Sequence, residues 1–342
     1  MRLYFYTIIL ITGISVTSCK TSSGNEAENK QRTDSLFALI NTPELKTLNQ
    51  KIIDAPNDAV LYHERSKIYL KNRQLIDAIN DAKRAIRIDS TNADFYINEA
   101  DVFFAANETK NCKDVLEKTV IKFPKNTEGL LKLGELYYFV KQYDNAFAKI
   151  NDALKINENM AKAYFLKGDI YKEIGDTTKS VSSYETAIEQ DNKHYDSFFN
   201  LGLIYASRKN PIAFEYYDNA LSVNPTSIEV LYAKAKLLQD LKKIPEAIVI
   251  YEVILKQDAL HISTLYNLGA IELEQHKDAE KALNYFSKAI EASPKYAEAY
   301  FARGVCYQEL KDKNNAKADY QMCLQLKPNF QSAIEALNDI ER

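Results

Sequence analysis

From residue 59 onward the chain resembles itself at a period near 34 residues, and no other feature narrows its fold so far. A period of that order marks a stacked-repeat architecture, in which each unit buries its apolar face against its neighbours. Counted from Ala59, the copies run 59–92, 93–126, 127–160, 161–194, 195–227, 228–261, 262–296 and 297–330. The copy at 195–227 is one residue short, and that at 262–296 is one residue long.

Small residues define the unit. Position 8 holds Ser66, Ala100, Gly134, Gly168, Gly202, Ala235, Gly269 and Gly304. Position 20 holds Ala78, Cys112, Ala146, Ser180, Ala213, Ala247, Ala282 and Ala316. Position 27 holds Ala85, Thr119, Ala153, Ala187, Ala220, Ile254, Ala289 and Cys323. Only Thr119 and Ile254 are larger than Gly, Ala, Ser or Cys, and both are expected to alter the stacking locally. Compact side chains are required where helix axes approach closely, because bulk there would force the pair apart. Large residues recur between them, at position 4 (Tyr62, Tyr96, Tyr164, Phe198, Tyr300) and position 24 (Tyr184, Tyr217, Tyr251, Phe286, Tyr320).

Proline supports the same register. Pro56, Pro124, Pro225, Pro294 and Pro328 fall in the link between units, and Pro43, Pro211 and Pro245 suit the first turn of a helix, where a missing N–H costs nothing. Apolar residues recur at spacings of three and four, and nothing alternates as a strand would. Each unit therefore predicts two helices joined by a turn.

Composition closes other routes. The net charge of −3 is made of interspersed signs, without the basic stripe of a nucleic-acid binder. Nine glycines and eight prolines exclude collagen-like and proline-rich classes. Four cysteines in 342 residues make no disulfide framework.

The pattern resembles the tetratricopeptide repeat over residues 59–330, with Tyr, Leu or Phe standing at position 4 where that family has Trp. The resemblance implies an all-α fold: a right-handed α-solenoid of helix-turn-helix units. Gln331–Arg342 reads as a C-terminal capping helix, with Ala333, Leu337 and Ile340 inward and Glu335, Asp339, Glu341 and Arg342 outward. Residues 33–58 read as a degenerate helix pair, Thr33–Ile40 and Thr42–Ala55.

In that family the first helix of each unit lines a concave groove. Position 5 here reads His63, Ile97, Leu131, Phe165, Phe199, Tyr232, Tyr266 and Phe301. A stripe of this kind serves either as packing or as ligand contact. Positions 2, 5, 9, 12 and 13 together carry twelve acids against five lysines, although the family itself favours an acid at position 2. The implied partners are other proteins or extended peptide segments, neutral to basic, with apolar anchors. Asn98, Asn200 and Asn267 at position 6 could grip a peptide backbone, since a side-chain amide both donates and accepts. A carboxylate clamp of the chaperone type is not expected, because position 5 is apolar and only Lys132 is basic at position 6.

The first nineteen residues differ in kind. Arg2 precedes an apolar stretch, Leu3–Val16, too short for a comfortable span of about 20 residues and ending in Val16-Thr17-Ser18-Cys19. This resembles the signal of bacterial lipoproteins. The resemblance implies a signal peptide over 1–18, a lipidated Cys19, and anchorage to a membrane by two or three acyl chains. An ordinary signal peptide or an uncleaved anchor are the other readings of these residues. Residues 19–32 would form the lipidated cysteine and a polar tether. Lys20, not aspartate, follows the cysteine, which in the enterobacterial pattern of that family implies the outer membrane, and the tether has no dense acidic run for surface display, which leaves the periplasmic face.

No nucleophile elbow, phosphate-cradling glycine loop or HExxH motif is present, and no cofactor is implied. His63, His194, His261 and His276 lack metal-ligand spacing, and His63-Glu64 reads as a surface pair. Cys306 and Cys323 share one unit and read as buried thiols, with a disulfide as the alternative. The expectation is a non-enzymatic envelope scaffold or adaptor. A component of a secretion, motility or envelope-biogenesis machine is the second reading, and a cell-wall glycan binder the third.

Overall fold

The computed structural model describes residues 42–341. The expected signal peptide, Cys19, the tether and the helix Thr33–Ile40 lie outside the described residues. Among the described residues about 80% are helical, in eighteen α-helices, and no strand occurs. None of the described helices is long and apolar enough to cross a membrane. The described residues divide into two compact units, the first ending at Leu133 and the second beginning at Gly134.

In the first unit the helix Pro43–Asp54 opens on Pro43 at its first position, with Thr42 capping Leu45 N–H. Its inner face is Leu45, Leu48 and Ile52. Helices Ala59–Lys71 and Leu75–Ile88 follow as an antiparallel pair, then Ala93–Ala105 with Thr109–Lys122. The second unit takes up the same alternation: Tyr143–Ile156; Ala161–Glu173 with Thr177–Gln190; Tyr195–Ser207 with Ile212–Val223; Ile228–Asp240 with Ile244–Gln257; Ile262–Ile271 with Ala279–Ala292; Ala297–Glu309 with Lys313–Leu326; and Gln331–Glu341. The helix Thr127–Phe139 contains the division. Each unit is thus built of the helix-turn-helix stack the period predicts.

Helix starts are set by side-chain acceptors. Asp58, Asn92, Asp176, Ser227, Asp278 and Asp312 each take an N–H of the first turn, satisfying donors that have no partner inside the helix. The turn inside each pair is equally regular. Position 15 is left-handed in all eight: Arg73, Asn107, Lys141, Gly175, Lys209, Lys242, Lys277 and Lys311 have φ between 52° and 82°. Only one of these is glycine, the residue that adopts this conformation without strain.

The small positions stand where the helices of a pair meet. Ala78, Ala146, Ala213, Ala247, Ala282 and Ala316 at position 20 are fully buried, as are Ala85, Ala153, Ala187, Ala220, Ala289 and Cys323 at position 27. Positions 8 and 20 touch directly: Ser66 Oγ donates to Ala78 O at 2.8 Å, and Ser180 Oγ donates to Gly168 O at 2.9 Å. Thr119 and Ile254 are also fully buried. Thr119 turns its hydroxyl to Val115 O at 2.7 Å, and Ile254 joins a cluster with Tyr251, Leu268 and Ile271.

The two irregular copies are absorbed differently. In 262–296 the extra residue forms a π-turn over Glu272–His276, after which Lys277 restores the left-handed turn. Such one-turn bulges let a helix take an insertion without breaking. In 195–227 the deletion falls after Lys209, and the second helix begins at Ile212 with 12 residues rather than 14. The helix Gln331–Glu341 buries Ala333 against Ala297 and Cys323, with Leu337 and Ile340 half-buried and Glu335 and Asp339 exposed. Cys112, Cys306 and Cys323 are buried free thiols. Burial pushes Cys112 and Cys306 up to about 12, so neither is a ready nucleophile.

Candidate functional site

The candidate surface is the face of the first helices, and in the second unit it is built on aromatic rings. Phe165, Phe199, Tyr232, Tyr266 and Phe301 are each half-buried. Each packs on the ring at position 24 of its own repeat: Tyr184 at 5.6 Å, Tyr217 at 6.4 Å, Tyr251 at 6.1 Å, Phe286 at 5.5 Å and Tyr320 at 5.7 Å, centroid to centroid. Four have a second flank, the last residue of the same repeat: His194 against Phe165, His261 against Tyr232, Tyr296 against Tyr266 and Phe330 against Phe301, at 5.1–5.6 Å. Phe199 is instead stacked with Tyr195, one helical turn earlier, at 6.3 Å. Packing and contact are therefore not alternatives here: each ring is fixed by neighbours and still reaches solvent.

In the first unit the same position is more enclosed. Ile97 and Leu131 are buried, at 5% and 4% exposure, so neither offers much surface. His63 is half-buried, its ring 5.1 Å from Phe95 and its Nδ1 buried without a hydrogen bond. It is thus a packed ring rather than half of a surface pair with Glu64. Desolvation lowers its pKa, with Lys67 acting in the same direction.

The three asparagines do not form a ladder. Asn98 is buried and donates to Ser66 Oγ at 2.7 Å, joining consecutive repeats. Asn200 accepts from Lys172 Nζ at 2.8 Å and donates to Asp196 O at 2.8 Å. Asn267 donates to Tyr232 OH at 3.0 Å and Tyr251 OH at 3.1 Å. Each already spends part of its hydrogen-bonding capacity between or within repeats.

Part of the acidic excess is neutralised in place. Lys132 holds Asp101 at 2.6 Å, Lys162 holds Glu135 at 2.5 Å, Lys236 holds Asp240 at 2.6 Å and Lys327 holds Glu298 at 2.9 Å. Lys132 and Lys327 lie outside the positions used to count charge, so the sequence count overstates the field. Glu229 is occupied by Tyr195 OH at 2.5 Å. Glu173, Asp196, Glu274 and Glu309 remain exposed, with no ion pair among the described residues. Asp169 is half-buried and accepts from Tyr184 OH at 2.6 Å. Burial lifts it to about 6; Asp196 and Glu173 add to the rise, while the Tyr184 bond and Lys172 oppose it.

The histidines at position 34 were not legible as functional or structural residues. Each sits in a link that reads as loop, and the usual capping residues are Ser, Thr, Asp and Asn. The signal available was recurrence: His194, His261, Tyr296 and Phe330 place a ring at the same point of four repeats. No group of His, Cys, Asp and Glu suited to a metal occurs among the described residues. An open depression at the turns of the second unit is lined by Lys141, Gln142, Tyr143, Asp144, Asn145, Phe147 and Ile174, away from these rings in sequence position.

Residues 161–194, 262–296 and 297–330 match family models described as tetratricopeptide repeat. Among curated proteins, the chain is 27% identical over 237 residues to BBSome complex member BBS4 of Bos taurus, covering 59% of this chain and 45% of that one. It is 24% identical over 303 residues to a DnaJ homolog subfamily C member 7 homolog of Schizosaccharomyces pombe, covering 81% and 63%. The chain thus spans less than two thirds of the length of these relatives. Among solved structures, the C-terminal part of a TPR repeat-containing protein from Cytophaga hutchinsonii superposes with a TM-score of 0.58 at 21% identity, over 70% of this chain and 98% of that one.

Proposed function

We propose that this chain, which carries tetratricopeptide repeats, is a non-enzymatic scaffold or adaptor that holds an extended protein segment along the first-helix face of its second unit. Repeats of this class mediate protein–protein interaction, and stacked repeats present extended concave surfaces for it. One observation carries the reading: five ordered rings at 165, 199, 232, 266 and 301, bordered by the unpaired carboxylates of Glu173, Asp196, Glu274 and Glu309. Pre-fixed rings give apolar anchoring at low entropic cost. Unpaired acids favour encounter with a neutral-to-basic segment.

The N-terminal sequence supports an envelope location, with Cys19 lipidated and the repeats held at the periplasmic face of the outer membrane. Fractionation of the Cys19→Ser variant tests this: release into the soluble fraction is expected, and unchanged membrane retention overturns it.

For the groove, a photo-crosslinking residue is placed at Glu173 or Glu274 in cells, and captured proteins are identified by mass spectrometry. The expected outcome is a discrete partner, lost in the Glu173→Lys, Asp196→Lys double variant at normal protein level. Equal capture by the charge-reversed protein rejects the groove. Charge reversal is preferred to alanine at Phe165, Phe199 and Tyr232, because those rings also pack the two helices of their own repeats together.

A further inference from the structure

His194 does two things, the first of which depends on its being neutral. Its Nδ1 accepts the Ser197 N–H at 3.2 Å, capping the helix Tyr195–Ser207, and its ring packs 5.1 Å from Phe165. A protonated imidazole has two donors and no acceptor, so the cap cannot survive protonation. The new positive charge would also stand at a helix N-terminus, where the backbone dipole opposes it. The arrangement recurs two repeats on: His261 Nδ1 accepts the Thr264 N–H at 3.3 Å, and its ring lies 5.6 Å from Tyr232.

We propose that His194 is an acid-released clasp: at neutral pH its cap on the first turn of the next helix holds its ring in place against Phe165, and when the imidazole gains a proton the cap is lost and the ring is no longer held there. The charged groups acting on His194 are Asp191, in the loop before it, and Asp196, on the helix it caps; both favour the cation. From the helix Ala161–Glu173 the Phe165 ring packs on it, and no charged group of that helix is among those acting on its titration. Burial acts against the cation and outweighs the two carboxylates, so the imidazole titrates below its ordinary range. The clasp therefore holds at neutral pH and opens only when acid takes the solution below the ordinary histidine range. Its effect on partner capture rests on the groove reading above; the clasp itself does not.

The test is intramolecular and needs no partner. Amide exchange at Ser197 is followed in the full chain at pH 7.5 and pH 5, corrected for intrinsic exchange, in wild type and in His194→Asn. Asparagine keeps a capping oxygen and does not titrate. Opening at Ser197 should rise about fivefold in wild type on acidification, the equivalent of one lost cap, and stay level in the variant. The same pH response in both proteins overturns the clasp. The chain has no tryptophan, so Phe165→Trp supplies a unique fluorophore. Its emission should shift to the red at pH 5 when His194 is present and hold its wavelength when His194→Asn is added. If Phe165→Trp does not fold, the amide measurement decides alone. If the clasp passes and crosslinking finds no partner, only the groove reading falls.

Discussion

The ring of Tyr184 occupies the space a side chain at residue 168 would need: a Cβ on Gly168 would stand 2.5 Å from Cε1 and 2.6 Å from Cδ1. The same pairing joins Gly202 to Tyr217, Gly269 to Phe286 and Gly304 to Tyr320, with closest approaches of 2.5–2.7 Å. Where position 24 is smaller, as at Ala82 and Leu116, position 8 holds Ser66 and Ala100. Two pairs depart from this: Gly134 faces Ile150, which a Cβ would approach to 3.0 Å, and Ala235 faces Tyr251, which nothing in the structure explains. Gly168→Ala should thus force a buried ring off its site and cost about 1–3 kcal/mol. The measurement is urea unfolding of Gly168→Ala, Tyr184→Leu and the double variant. The alanine should cost much less in the Tyr184→Leu background than alone. Additive losses would show that the glycine and the ring are independent.

A second fixed relationship lies near each end of the repeats. Arg65 grips Asp81 through Nε and Nη2 at 2.6 and 2.8 Å while Nη1 reaches Asn49 at 2.7 Å. Arg303 does the same with Asp319 and Ser287, at 2.7, 2.8 and 3.3 Å. Asp81 and Asp319 are buried, at 7% and 5% exposure. Each arginine so ties its own repeat to the element sixteen residues before it. Lysine cannot reproduce a two-pronged grip. Arg65→Lys should lower stability by about 1–2 kcal/mol, and Asp81→Ala by about 3 kcal/mol, because the guanidinium loses its counter-charge. A double-mutant cycle on Arg65 and Asp81 checks it; a coupling near zero would mean the pair contributes nothing beyond its separate members.

What could be read from the sequence was local and periodic. The 34-residue spacing located the helix pairs, because compact residues at positions 8, 20 and 27 have one physical reason to recur. The length anomaly at 262–296 was visible, but not that a π-turn would take it, since any point of the first helix could have received the residue. Contacts between repeats were not readable. Asn98 meets Ser66 across 32 residues and Asn267 meets Tyr232 across 35; both depend on how the repeats are seated. Ile97 and Phe165 hold the same position in the repeat, yet one is buried and the other half-exposed. That difference is one of surroundings, which the position in the repeat does not encode.

The turns carry strain that a single substitution can remove. Lys242 has φ 62° and is exposed, so its side chain adds nothing that offsets a left-handed backbone. For an L-residue that conformation costs about 1–2 kcal/mol. Lys242→Gly removes this cost but loosens the unfolded chain, so a net gain of about 0.5–1 kcal/mol is expected. Lys242→Val, branched at Cβ, should lose more than about 1 kcal/mol. Thermal midpoints of the two variants should bracket wild type. A destabilising glycine would show that Lys242 makes a contribution the turn geometry does not reveal.

Asp169 gives the second unit a stability term of unusual sign. Its carboxyl is lifted from the ordinary 3.8 to about 6, chiefly by burial. The folded protein therefore binds this proton more tightly than the unfolded chain. The resulting stabilisation is full below about pH 4, falls as pH rises through the interval from about 4 to 6, and is absent above it. Asp169→Asn keeps an oxygen to accept from Tyr184 OH and removes the charge. The variant should match wild type near pH 4 and exceed it at pH 7.5, by on the order of 2 kcal/mol. His194 works in the opposite direction, since its depressed pKa favours the folded state at higher pH. The comparison is thus best made with His194→Asn in both proteins. Urea midpoints across pH 4–8 measure the difference. If Asp169→Asn instead lowers stability at pH 7.5, the ionised carboxylate is the form the fold prefers, and the hydrogen bond from Tyr184 outweighs its burial.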